Sequence, residues 1–276
     1  MAFKAFPPKA PRRHRAAVAL ALTTALVGLS SPAVAQEETY LPQAQKNFEE
    51  VNNGTNPTLL TTQAGIQYQF NRVTSDLDFG MTELLYTQPF GGGDKAFRFT
   101  LPFGNSVFDS DLDLGDISLT YIDVMHVNAK TGSAYTVELF LDTAGRDDLG
   151  YGQFALETSV FYAWFLKGGS IFAPAWVQTF GLEGGNDAGG KLNTTTVDFY
   201  YVPKLPNPKY FMTVDPAVVH DWEADKTFGS LSVTMGMMTG KAFGGDSQVF
   251  IKPGVLIGGD RPADWSVQVG YKVLNF

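Results

Sequence analysis

Two histidines lie beyond the first 35 residues, His126 and His220, and neither stands in a spacing that would hold a metal ion. Asp221 adjoins His220, but neighbours on an extended chain point to opposite faces, so it could not orient the ring for a serine nucleophile. The chain contains no cysteine, which removes thiolate nucleophiles, thiolate metal sites and disulfides together. Asp109-Ser110-Asp111-Leu112-Asp113-Leu114-Gly115-Asp116 has the acid density of a calcium loop. Its glycine falls one place late, and position twelve is Thr120 rather than glutamate, so a dedicated calcium site fails. These residues assign no catalytic group, no metal and no cofactor, and the expectation is that the protein is not an enzyme.

What remains is charge set against apolar residues. Glu83, Arg98, Glu138 and Glu157 stand on the polar side of alternating segments, with Gln67, Gln69 and Gln153 on the same side. In a closed barrel that side is the lumen. A single arginine among carboxylates would form a constriction that selects permeants, or the same groups would lock into a polar plug; the residues leave both open. A second group, Asp109, Asp111, Asp113, Asp147 and Asp148, falls in the connections and would form an acidic rim. Such a rim would collect divalent cations loosely and share them with anionic lipopolysaccharide.

The elements that must carry these groups have period 2. Ile66, Tyr68 and Phe70 alternate with Gly65, Gln67 and Gln69, and Phe97, Phe99, Leu101 and Phe103 alternate with Arg98, Thr100 and Pro102. Phe154 to Leu166 repeats the pattern, so one face meets an apolar phase and the other meets water. Cutting at Gly, Pro, Asn and Asp clusters gives twelve segments, 61–73, 79–90, 95–103, 115–128, 133–143, 152–166, 170–182, 192–203, 210–221, 228–240, 247–257 and 264–276. Most have the roughly 9 to 11 residues that a tilted transmembrane strand needs. The weakest division is 79–103, which reads either as two strands or as one with a long loop. Acidic connections follow the odd-numbered segments and lysine-bearing turns follow the even-numbered ones, as two distinct rims would require. The 37 aromatic residues are more than a soluble sandwich of this length would bury.

The ends of the chain fit this reading. Lys4, Lys9, Arg12, Arg13 and Arg15 precede an uncharged run from Ala16 to Leu29, and Ala33-Val34-Ala35 follows a proline. This is the pattern of a secretory signal peptide over residues 1–35 with cleavage before Gln36. Cleavage would leave 15 of the 20 basic residues against all 28 acidic ones, a net charge of −13, which disfavours nucleic acid as a partner. Residues 36–56 read as a polar periplasmic leader and 57–276 as the barrel. The last segment ends in Phe276 and is similar to the strand by which outer-membrane barrels engage their assembly machinery. Its apolar set Trp265, Val267, Val269, Tyr271 and Val273 is out of phase with Leu274 and Phe276, which predicts a bulge near Val273 or an inward-turned end.

Four stretches in order carry a family resemblance: Leu114 to Leu119, Tyr210 to Pro216 continuing to Asp221-Trp222, Val233 to Lys241, and Arg261 to Trp265. Over residues 80–276 the chain resembles the outer-membrane barrels grouped as the "MetA-pathway of phenol degradation" family. The resemblance implies a small transporter barrel and brings no catalytic residues with it. The combined expectation is an all-β, closed antiparallel transmembrane barrel of about twelve strands in the outer membrane of a Gram-negative-type bacterium. It would act as a narrow passive channel or uptake route for small solutes, hydrophobic or aromatic ones included. The alternative is a structural barrel with a filled lumen that contacts lipopolysaccharide or a partner.

Overall fold

The computed structural model describes residues 53–106, 109–146, 148–182 and 192–276. Residues 1–52, which the sequence reads as a signal peptide and most of a leader, lie outside the described residues, as does Asp147. The strands are β1 (Gln63–Arg72), β2 (Asp78–Phe90), β3 (Lys95–Ser106), β4 (Asp109–Leu114), β5 (Ser118–Val127), β6 (Thr131–Phe140), β7 (Ala155–Phe165), β8 (Ile171–Gly181), β9 (Asn193–Val202), β10 (Tyr210–Asp221), β11 (Lys226–Ala242), β12 (Gly245–Ile257) and β13 (Trp265–Leu274). All neighbours pair antiparallel in chain order, and β1 closes the ring on β13 from Gln63↔Leu274 to Arg72↔Trp265. The region 79–103 is two strands, joined at Phe90↔Lys95.

Thirteen strands make a twelve-stranded barrel because β4 and β5 share one place in the wall. Thr100 pairs with Ser118 and Phe103 with Leu114, so two residues of β3 face the three residues 115–117. The interruption falls opposite Pro102, whose carbonyl accepts from Gly115 N–H at 3.0 Å but which has no N–H to return. The extra residue turns Asp116 out of the ladder, toward the lumen.

Alternation decides what faces outward. Ile66 (48% exposed), Phe97 (47%), Val160 (54%) and Trp176 (56%) all lie on the outer face. A continuous belt of such residues is stable only against lipid, and ring closure leaves no strand edge unpaired within it. Aromatic rings gather where strands approach a rim: Phe90, Phe97, Tyr121 and Tyr135 form a chain with centroids 5.2 to 6.0 Å apart between successive rings. At the opposite rim Phe70 and Trp265 lie 5.5 Å apart with Arg72 over both rings. Tyr121, Tyr135 and Trp265 carry the amphipathic rings that belong at such a water–hydrocarbon boundary.

The inner face is built from small residues and a few large ones set over glycine. Ala96, Ala134 and Ala163 are fully buried. Phe211 stands over Gly236, where a Cβ would meet its ring at 2.0 Å, and Phe250 stands over Gly270 in the same way at 2.3 Å. Ile171, Ala173 and Val202 pack with Phe165 and Tyr200 into a small apolar cluster. The final strand keeps an unshifted register against both β1 and β12, so there is no bulge at Val273. Instead Leu274 turns inward and is completely buried, and Asn275 takes a left-handed conformation (φ 58°) whose N–H donates to Thr62.

The two rims differ. One carries both barrel ends and the turns after β2, β5, β7, β9 and β11, and is here called the terminal rim. The other carries the remaining connections, including residues 141–154 between β6 and β7, and is the loop rim. Asp111 and Asp148 are exposed on the loop rim, and Asp113 there lies 3.6 Å from Arg146. Asp109 begins β4 on the same side; its side chain is outside the described residues.

Candidate functional site: a charged lumen with two occupants

The lumen is narrowed from both ends. At the loop rim the β6–β7 connection folds inward, and Asp116 holds it. Asp116 Oδ1 accepts the backbone N–H groups of Thr143 (3.1 Å) and Ala144 (3.0 Å), and its Oδ2 accepts that of Tyr151 (2.6 Å). Three fixed donors converging on one carboxylate define the loop's path. Gly150 lies so close to this carboxylate that a Cβ would meet it at 2.3 Å, which allows only glycine there. Leu149 is buried, and Tyr151 packs edge-on against Phe140 at 5.1 Å. Burial, with the charges of Glu157, Glu138 and Asp116, pushes the Tyr151 phenol up to about 12.

Burial also raises the Asp116 carboxyl above its ordinary value, against the opposing pull of its three N–H donors. The folded chain therefore keeps this proton over a range of pH in which the unfolded chain has lost it. The contribution of Asp116 to stability falls as pH rises through that range, from the ordinary carboxylate value to the raised one. In thermal melts in detergent, the advantage of wild type over Asp116→Asn should shrink as pH rises through this range. An advantage that grows with pH would contradict this reading of the site.

At the terminal rim the residues before β1 enter the mouth. Tyr200 donates from its hydroxyl to the carbonyl of Thr55 at 3.1 Å, and Thr58 is 2% exposed, against Gly132. Asn53 and Asn56 fold this segment on itself by accepting from Thr55 and Thr58. The last residues of the segment read as a leader, 53–56, thus lie inside the barrel's terminal mouth.

Between these two occupants lie the charged side chains. Glu83, Arg98 and Glu138 line one chamber of about 440 Å³ together with Asp116 and Tyr151. Glu157 faces inward beside Glu138, its register partner. The carboxylates are held by neutral donors: Gln67 donates to Glu83 at 2.5 Å, Ser118 to Glu138 at 2.5 Å and Thr179 to Glu157 at 2.8 Å. Arg98 makes one hydrogen bond among the described residues, from Nε to Thr87 Oγ1 at 3.1 Å. The interior therefore does not neutralise itself on this side.

The expectation of a single lumenal cation is corrected by two lysines. Lys252 lies 3.3 Å from Asp215 Oδ2, and Lys272 stands over the Phe250 ring at 5.1 Å. Asp198 faces inward next to this group, and its Oδ1 is buried without a hydrogen-bond partner. Lys252 and Lys272 were accessible to parity, since each sits between outward residues such as Ile251 or Tyr271. The cations thus come from β3, β12 and β13, and the carboxylates beyond Glu83 from β6, β7, β9 and β10, on facing arcs of the wall. His220 lies on the outer face, bonded to Thr227 at 2.8 Å and stacked edge-on with Trp222. Among the described residues no three His, Asp or Glu side chains converge as a metal site requires.

No family model matches the chain, and no curated protein does. The likeness to the phenol-degradation family therefore rests on the four sequence stretches alone. Among solved structures, the chain is similar to the COG4313 outer membrane channel from Pseudomonas putida F1 (14% identity, TM-score 0.58, 78% of this chain and 96% of that one). It is also similar to the NanC porin (11%, 0.56, 77% and 98%) and the KdgM porin (8%, 0.54, 76% and 98%). At these identities what is shared is the fold: a closed twelve-stranded antiparallel barrel of the kind found in outer-membrane porins.

Proposed function

We propose that this protein is a narrow passive channel for small solutes in the outer membrane of a Gram-negative-type bacterium. The observation that carries the reading is that Glu83, Glu138 and Glu157 are held by neutral donors and Arg98 by a neutral acceptor, and that they are left unpaired with one another around an open chamber. A plug that merely filled the lumen would be expected to close its charges into ion pairs, because unpaired buried charge is costly. Water and permeant are the partners that such groups retain. The lipid-facing belt and the absence of a free edge support the membrane location. The barrel ends on the terminal rim support placing that rim in the periplasm and the acidic rim outside, against lipopolysaccharide.

The test is swelling of liposomes that contain purified, heat-modifiable protein. Arabinose should enter at a rate above that of empty liposomes, and removing residues 36–60 should increase that rate by clearing Tyr200 and Gly132. Rates equal to those of empty liposomes for both proteins would reject the channel.

A further inference from the structure

Within that channel reading, we propose that the chamber beneath the inward-folded loop is a binding site for small zwitterions with an apolar body, of the size of a large aliphatic amino acid. Three observations meet there. Arg98 is anchored through Nε alone, which leaves its two terminal nitrogens free to present a fork, the geometry that takes a carboxylate through two parallel hydrogen bonds. Glu138 lies on the same row of the wall, through Arg98↔Thr120 and Thr120↔Glu138, so the two Cα atoms are about 10 Å apart across two strand spacings. Arg98 feels the charge of Glu138, yet the two form no ion pair with each other. A ligand carrying both an ammonium and a carboxylate bridges that interval; a simple anion or cation satisfies only one end.

The remaining wall supplies the second half of the specificity. Leu85, Pro102, Phe140 and Leu149 line the same chamber, so the ligand body is met by hydrocarbon and an aromatic ring. Its volume of about 440 Å³ falls within the range of small-molecule sites and leaves room for the ligand and some water. The local charge is unbalanced toward acid, with Glu83, Glu138 and Asp116 against Arg98, and Asp116 is committed to the loop. Lys272 lies within electrostatic reach of Arg98 and Glu83 without lining the chamber, so a carboxylate lacking an amino group engages Arg98 and leaves Glu138 without a cation.

The probes are L-leucine, L-leucinamide and 4-methylpentanoate, which share one apolar body and differ only in charge. Equilibrium binding to detergent-purified protein and liposome flux are both measured. Leucine should bind several-fold more tightly than either analogue. Arg98→Gln should erase its advantage over leucinamide, Glu138→Gln its advantage over 4-methylpentanoate, and Arg98→Lys should restore part of the first. Each variant is first checked for the heat-modifiable band of a closed barrel, and Thr87→Val, which frees the arginine without removing it, serves as a second probe of the fork. Equal binding of the three probes, or none to folded wild type, overturns the site. Binding of leucine without flux of any solute keeps the site and removes the channel; equal flux of all three without selective binding does the reverse.

Discussion

Asp116→Ala is expected to raise single-channel conductance several-fold over wild type in planar bilayers. The carboxylate is the acceptor for three backbone N–H groups of one loop, from Thr143, Ala144 and Tyr151. Each donor left buried and unsatisfied costs about 1–3 kcal/mol, so the loop moves out to water sooner than remain in place without its anchor. With it go Leu149 and Tyr151, which cover the chamber from the loop rim. The barrel wall is untouched, because β4 and β5 are held to β3 by backbone pairing. The variant should therefore still run as a heat-modifiable band. Unchanged conductance in a folded variant would show that the loop does not limit passage.

The second large effect is on stability and separates two adjacent positions. Ile66→Arg should destabilise the barrel by about 2–4 kcal/mol, the cost of a cationic side chain near the bilayer midplane on the lipid face. Ile66 is near the middle of β1 and points outward. Gln67→Arg, one residue on, should cost far less, because residue 67 faces the lumen and its register partner Glu83 already accepts from it. Unfolding in urea from detergent or lipid vesicles measures both. Equal losses at the two positions would contradict the assignment of faces on which every lumenal residue depends.

Period-2 alternation made the strands legible because lipid and water impose opposite requirements on successive residues of one extended chain. The segments 170–182, 192–203 and 210–221 lie within a residue or so of β8, β9 and β10. The same parity places Glu83, Arg98, Glu138 and Glu157 on the lumenal side. It would also have placed Lys272, which alternates as Ser266, Gln268, Gly270 and Lys272 against Val267, Val269, Tyr271 and Val273. Asp198 and Asp215 were not legible in this way. β9 runs Thr194, Thr195, Thr196 before its aromatics, and β10 mixes apolar residues on both faces, so neither has a contrast to read. Asp116 looked like one more acid in an acidic loop. Its role depends on donors 27 to 35 residues away, which no local pattern encodes.

The seam between β1 and β13 also constrains the order of events during biogenesis. Gln63 and Leu274 are paired although nearly the whole barrel separates them in sequence, so this joint is among the last contacts that the chain can make. Residues 53–60, which immediately precede the seam, are seated against Gly132 and Tyr200 from the middle of the chain. The segment that leads into β1 therefore reaches across the mouth to β6 and β9, so seating it ties the first strand to the middle of the chain as well as to the last strand.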